Sequence, residues 1–262
     1  MPYSTRSGLN IWYEVTGEGP ALVLIHANPF DHDLWLYQTA HFSTWFRVIG
    51  IDIRGYGRSA KVTAPFTLKD MCNDALSVMD ELGIDRAVLM GCSVGSGTAI
   101  LLGLDHPDRF DAIILVGGNS GSSDRYMRRV EGYRRDLGAY HLEHMQELVA
   151  PSFIESRLGR HLLNMFVERE ARLSGEAIAR VFMAGNATDT TQRLPEMKVP
   201  TLVINGEYDH SLKGGQRTAS LVPGAVHRVL KGTGHACCIE DPAGFDALVL
   251  DFLRERNLLP EL

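Results

Sequence analysis

Gly91-Cys92-Ser93-Val94-Gly95 joins the apolar run Arg86-Ala87-Val88-Leu89-Met90 to a helical stretch of Ala, Leu, Ile and Gly from Ser96 to His106. The spacing G-x-S-x-G alone is common. Between a strand and a helix it marks a sharp turn that exposes a serine hydroxyl and strains the backbone beneath it. The glycines on either side supply room, because a Cβ at either place would crowd the neighbouring strand or helix. Cys92 reads as a small buried residue under the turn.

The rest of the chain repeats the strand-then-helix rhythm. Residues 9–15 alternate like an edge strand, and Gly17-Glu18-Gly19-Pro20 is a turn. Ala21 to His26 and Arg47 to Asp52 are short apolar runs, suited to strands buried on both faces. Residues 33–43 look helical, and Thr67 caps a helix over Leu68 to Leu82 with Asp70 at its third position. Another strand is expected at Ala112 to Val116. Residues 121–187 then contain no convincing strand and read as several short helices. Strands return at Val199 to Asn205 and Val226 to Leu230, with helices near Gln216 to Leu221 and from Pro242 to Arg256. Alternation of this kind implies a mostly parallel sheet covered on both faces, interrupted by a helical insertion. Ligands of such sheets bind beyond the C-terminal strand ends, which here carry residues 26–31, 91–95, 117–121, 205–211 and 231–238.

A serine hydroxyl near pH 7 needs a general base, and the base needs an orienting anion. His235, in Lys231-Gly232-Thr233-Gly234-His235 after the last strand, is the candidate base. His106 is expected to help cap a helix, and His141, His144 and His161 of the insertion to be solvated. Asp209, in Gly206-Glu207-Tyr208-Asp209-His210, is the candidate acid, with Glu207 its competitor in the same loop. Gly117-Gly118-Asn119-Ser120-Gly121 offers no carboxylate. An oxyanion would take one backbone N–H from Val94, at a helix start where the dipole favours negative charge. The second donor is expected in His26-Ala27-Asn28-Pro29-Phe30; Pro29 has no N–H, which leaves Asn28. His26 reads as the organiser of that loop.

Asp52-Ile53-Arg54-Gly55-Tyr56-Gly57-Arg58-Ser59 lacks the G-K-[ST] and G-x-G-x-x-G spacings of phosphate loops and reads as a structural turn, with Arg54 paired to a buried carboxylate. No H-E-x-x-H or C-x-x-C occurs, so neither a metal nor a disulfide framework is expected. Net charge −6 gives no reason to expect nucleic acid as a partner. No run reaches the roughly 18 apolar residues of a membrane span, and Met1 to Arg6 lacks a signal-peptide pattern. The expected setting is the cytoplasm, with a small-molecule substrate and a monomer or homodimer.

Together these motifs resemble the α/β-hydrolase fold family, over most of the chain: His26-Ala27-Asn28-Pro29, the turn from Asp52 to Ser59, the serine turn, the Asp209 loop and Gly234-His235. The chain order Ser93, Asp209, His235 is the order that architecture uses. The resemblance implies an eight-stranded, mostly parallel sheet with helices on both faces. It implies a core of residues 1–120 and 188–262, a helical cap over 121–187 after the sixth strand, and catalysis without metal or organic cofactor. Ala27 departs from the glycine that many members carry there, and fits unless the position needs φ > 0. Gly234 to Pro242 is similar to the histidine loop of 3-oxoadipate enol-lactonases and of aminoacrylate hydrolases. Ser93 in place of Asp argues against a haloalkane dehalogenase.

Three function classes follow. The first is a serine hydrolase of esters, lactones or related acyl bonds. The second is a carbon–carbon bond hydrolase or cofactor-free perhydrolase on the same triad. The third is a slow-turnover small-molecule receptor. The cap carries Arg125, Arg128, Arg129, Arg134, Arg135, Arg157 and Arg160 without a lysine. Arginine suits bidentate binding of carboxylates, so one of these could hold an acidic substrate; surface charge balanced by Asp124, Glu131, Asp136, Glu143 and Glu147 is the alternative. The candidate substrate-binding set is Arg125, Tyr126, Arg128, Arg129 and Phe153, with Tyr126 and Phe153 serving equally well as cap core.

Overall fold

A computed structural model describes residues 2–118, 120–121 and 125–261, with Arg125 described by its backbone alone. Eight strands, β1 (Tyr3–Ser4), β2 (Ile11–Thr16), β3 (Ala21–Ile25), β4 (Arg47–Ile51), β5 (Ala87–Cys92), β6 (Phe110–Val116), β7 (Thr201–Gly206) and β8 (Val226–Leu230), form one sheet. Their order is β1-β2-β4-β3-β5-β6-β7-β8. The pairs β1–β2 and β2–β4 are antiparallel, and the other five are parallel. The 9–15 stretch is therefore the second strand, with the two-residue β1 as the edge.

Eleven α-helices occur among the described residues. Three precede the insertion: α1 (Leu36–Phe42), α2 (Leu68–Glu81) and α3 (Val94–Asp105). Five lie between β6 and β7: α4 (Arg125–Arg135), α5 (Leu137–Glu147), α6 (Pro151–Glu155), α7 (Arg157–Val167) and α8 (Gly175–Asn186). Three close the chain: α9 (Leu212–Leu221), α10 (Cys237–Glu240) and α11 (Pro242–Arg254). The segment expected as one helix over 33–43 is a 3-10 turn, His32–Trp35, followed by α1. Helix α9 starts four residues before the expected Gln216. Its first turn contains Gly214 and Gly215, poor helix formers that hid it. Gly215 is needed there, because a Cβ would sit 2.0 Å from Asn205 Oδ1.

Strand residues alternate between two apolar layers. Val23, Ile25, Leu89 and Leu115 join Met71 and Val78 of α2, Ile100 of α3 and Phe182 of α8. Leu22, Leu24, Met90 and Ile114 join Trp35, Phe42, Phe245 and Val249, with Met145, Leu162 and Phe166 of the insertion. The parallel register sets Ile25 beside Gly91 and Val116 beside Ile204. The loops after β3, β5, β6 and β7 therefore leave one edge of the sheet side by side.

Local chemistry fixes the remaining elements. Thr67 caps α2 through a reciprocal box with Asp70: Thr67 Oγ1 accepts from the Asp70 N–H and Asp70 Oδ2 from the Thr67 N–H. Asp52 accepts from the backbone N–H groups of His32 and Arg58, and tightens the turn that follows it. A Cβ at Gly57 (φ 46°) would strike the same carboxylate. Arg54 makes a two-point bond with Asp74, Nε to Oδ2 at 2.6 Å and Nη2 to Oδ1 at 2.8 Å, with both side chains buried. Arg54→Ala strands a buried carboxylate and is expected to cost about 3–5 kcal/mol of stability. A double apolar replacement, Arg54→Met with Asp74→Leu, should lose far less. Urea unfolding of both variants checks this, and equal losses would contradict the pairing argument.

Candidate active site

The serine turn packs backbone directly on backbone at this edge. A Cβ on Gly91 would lie 2.2 Å from Gly95 O, and one on Gly95 would lie 2.3 Å from Ile25 O. Helix α3 therefore rests directly on β5 and β3. Ser93, between the two glycines, adopts φ 55°, ψ −111°, a conformation that costs a non-glycine residue about 1–3 kcal/mol. Surrounding bonds hold it there. The Ser93 N–H donates to Val116 O at 2.8 Å, and Ser96 Oγ lies 2.6 Å from Gly91 O and 2.9 Å from Val116 O. Cys92 is buried beneath the turn, and burial pushes its thiol well above the ordinary range.

Ser93 opens into a cavity of about 320 Å³ that Asn28, Gly117, Tyr126, Arg129, His144, Leu148, Phe182, His210, Ser211 and His235 also line. His235 Nδ1 donates to Asp209 Oδ1 at 2.7 Å, which leaves Nε2 for the cavity. The same carboxylate accepts the Ser211 N–H at 2.8 Å and Asn205 Nδ2 at 2.8 Å. Burial alone would raise the Asp209 carboxyl; His235 opposite it and these hydrogen bonds outweigh burial and hold it well below the usual carboxylate range. Glu207, the competitor, faces outward, where it meets Lys231 and the Gly232 N–H. Ser211, which sequence reasoning missed, lies 3.0 Å from Gly117 O and so ties the Asp209 loop to the end of β6. His210 stacks on His235 with ring centroids 4.5 Å apart. Asp209, His210 and His235 make a compact group of metal-capable side chains, but both carboxylate oxygens are already engaged in hydrogen bonds.

Of the donors expected for an oxyanion, Val94 follows Ser93 in the chain and Asn28 lines the same cavity. Val94 opens α3, so its N–H belongs to the first-turn donors that have no intrahelical partner. Asn28 lies on the cavity wall, next to a cis peptide with Pro29. Its side-chain Oδ1 and Nδ2 are buried with no hydrogen-bond partner. His26 organises this loop as expected: Nδ1 donates to Ala27 O, and Nε2 accepts the Ile53 N–H, both at 3.0 Å. Ala27 is buried without a positive φ, so it needs no glycine there.

The insertion corrects several expectations. His141 and His144 are buried, not solvated. They fall on one face of α5 with Met145 and Leu148, a stripe that the helical period of the sequence already carries. Each has a polar partner: His141 Nε2 lies 3.2 Å from Pro29 O, and His144 Nδ1 lies 2.8 Å from Tyr133 Oη. Burial, reinforced by Arg129 and His235, pushes His144 well below its ordinary pKa and keeps it neutral. Burial also raises the Tyr133 phenol. Of the five candidate substrate residues, Tyr126 and Arg129 line the cavity. Phe153 packs among Leu162, Leu163 and Phe166, away from the cavity wall. Arg128 is exposed and lines an adjoining cavity, which shares Arg129 and His210 with the first. The side chain of Arg125 lies outside the described residues, as do Asn119 and Asp124. Arg129 is the informative one. Its Nη2 lies 2.7 Å from Glu147 Oε2, while its Nη1 is buried with no partner.

Residues 20–242 match the family model for the α/β-hydrolase fold. A 2-hydroxy-6-oxononadienedioate/2-hydroxy-6-oxononatrienedioate hydrolase of Paraburkholderia phymatum is 30% identical, over 94% of this chain and 91% of its own. A putative carbamate hydrolase RutD of a Caulobacter species is 29% identical, over 97% and 98%. Among solved structures, the enol-lactonase of Burkholderia xenovorans LB400 superposes with a TM-score of 0.89 at 28% identity, covering 97% of this chain and 100% of its own. The chain belongs to the α/β-hydrolase fold family, and it is a hydrolytic enzyme acting on small molecules. No helix among the described residues is long and apolar enough to cross a membrane.

Asp209 gives a pH test. Its folded pKa is depressed, so its contribution to stability is complete above the unfolded value of about 4 and is lost as pH falls towards the folded value. Asp209→Asn should therefore be less stable than wild type at pH 6, with the gap shrinking as pH falls below about 4. Urea midpoints across that range check it; a gap that widens on acidification would contradict the assignment.

Proposed function

We propose that this chain is a serine hydrolase that cleaves the ester, lactone or related acyl bond of a small carboxylate-bearing metabolite through an acyl-enzyme. Ser93 Oγ attacks the carbonyl carbon while His235 Nε2 takes its proton. Asp209 holds the imidazole tautomer and stabilises the imidazolium. The N–H groups of Asn28 and Val94 receive the oxyanion. His235 then returns the proton to the leaving oxygen, and water, deprotonated by the same nitrogen, releases the acid. The observation that carries this reading is Ser93 on its strained turn sharing a cavity with a histidine whose far nitrogen is bonded to a buried carboxylate. The scheme asks for no metal or cofactor. Helices α4 to α8, within 121–187, act as a cap over a core of 1–120 and 188–262. Four buried free cysteines suit a reducing cytoplasm.

Arg129 supports the acidic substrate. Its guanidinium group lines the cavity with Ser93, and a carboxylate is the natural acceptor for a guanidinium there. His144 adds a neutral imidazole. Its Nδ1 is engaged by Tyr133 Oη at 2.8 Å, and the ring lines the cavity with Ser93. The second reading, carbon–carbon bond cleavage on the same triad, is favoured by the Paraburkholderia relative, whose named substrate is a dioate carrying a keto group.

Kinetics on paired substrates test the proposal. Arg129→Met should raise KM for a carboxylate-bearing short ester about tenfold or more, since charge-assisted bonds are worth roughly 1.5–3 kcal/mol, and leave the matching neutral ester nearly unchanged. Equal shifts for both esters would remove Arg129 from substrate binding. Asp209→Asn should lower kcat by about 10³–10⁴-fold with KM little altered. A panel with a 6-oxo dienoic acid beside an enol-lactone separates the two bond classes.

A further inference from the structure

A second carboxylate stands behind the histidine loop, and the scheme above leaves it without a role. Glu240, the last residue of α10, accepts the Gly234 N–H on Oε1 at 2.8 Å and the Ala150 N–H on Oε2 at 2.7 Å. Gly234 immediately precedes His235. Ala150 belongs to the insertion, where it caps the start of α6 and so offers a first-turn N–H that the helix cannot use. The residue on the other side of the histidine is tied to the same place: the Ala236 N–H donates to Leu148 O at 2.9 Å. Contact between the two segments is close, since a Cβ on Gly234 would lie 2.9 Å from the Val149 backbone. His235 is thus fixed at its ring by Asp209 and through its backbone by the segment 148–150, and one carboxylate bridges that second attachment.

We propose that Glu240 is a positioning residue: as a carboxylate it clamps the His235 loop to the insertion at residues 148–150, and protonation releases one side of the clamp. This rests on His235 being the general base. A carboxylate accepts on both oxygens, whereas a carboxylic acid carries a hydrogen on one of them and would set that hydrogen against a backbone N–H. One of the two bonds is then lost, and the imidazole loses its fixed height above the serine turn. Ionisation falls in a useful range. Burial raises the Glu240 carboxyl to about 7, Asp209 adds to the rise, and the two N–H groups with His235 oppose it. The other titratable groups around it are the buried thiols of Cys237 and Cys238, which burial keeps protonated. The clamp is closed above about pH 7 and half open below it.

Stability moves the other way. Folded Glu240 keeps its proton up to about 7, while the unfolded chain releases it near 4.5. The stability this group contributes is complete below the lower value and declines as pH rises through the higher one. Activity and stability should therefore run in opposite directions across that window.

The test is the acid limb of kcat for a short-chain ester in wild type and in Glu240→Gln. A glutamine offers one acceptor and one amide, so it fixes the half-open state without titrating. Wild type should lose activity on acidification more steeply than one proton, because protonation of Glu240 adds up to a tenfold loss to that from the general base. Glu240→Gln should show a slope of one, with kcat about tenfold lower than wild type near pH 8.5, KM within about twofold, and the difference disappearing below about pH 6. The wild-type limb stands as a test even if the variant folds poorly: a one-proton slope in wild type overturns the proposal. So does a glutamine variant with wild-type kcat and slope. His235→Ala separates the two levels. If it is inactive while Glu240→Gln behaves as wild type, the clamp alone fails; if it retains activity, the base assignment fails first.

Discussion

Two backbone approaches of little more than 2 Å to where a side chain would be, Gly91 against Gly95 and Gly95 against Ile25, govern the edge of the sheet that carries Ser93. They let α3 sit on β3 and β5 without an intervening side-chain layer. That seat forces the chain through a positive φ at Ser93, which is why the hydroxyl leaves the sheet and enters the cavity. The parallel register then brings the ends of β6 and β7 alongside, and with them Gly117, Asp209 and Ser211. Close contact is general here. Gly117 lies so near the His235 ring that a Cβ would come within 2.5 Å of it. Packing of backbone on backbone positions the site, and hydrogen bonds to buried carboxylates aim its side chains.

The carboxylates divide that labour. Asp209 is buried but surrounded by donors, so it stays ionised and holds an imidazole. Asp74 is buried against one arginine, and there burial prevails and its pKa is raised. Glu240 has only backbone donors to offset its burial and reaches about 7. The number and charge of the donors decides among the three, since all are largely withdrawn from water.

Much of this was legible in the sequence because it depends on short-range constraints. The serine turn, the capping box at Thr67 and Asp70, and the alternation that gives a buried parallel sheet are each written within a few residues. Pairing over distance was legible only in kind. Arg54 was expected to meet a buried carboxylate, but that the partner is Asp74, on the facing turn of α2, depends on how α2 lies on the sheet. The insertion was least legible. His141 and His144 resemble surface polar residues by type, and only the apolar stripe they share with Met145 and Leu148 reveals that they turn inward. Arg129 could not be told from its neighbours by sequence, because Arg128 and Arg129 differ only by the 100° that separates adjacent helical positions. Phe153 fits a cap core as well as a pocket wall, and packing put it in the core.

The central claim is that the strained turn makes Ser93, and no other residue, the nucleophile. Treating the folded enzyme with a fluorophosphonate and locating the adduct by peptide mass spectrometry tests that claim directly. One adduct per chain is expected, on the peptide containing Ser93, with hydrolysis lost in proportion to labelling. An adduct on another serine, or full labelling of Ser93 with hydrolysis intact, would contradict it.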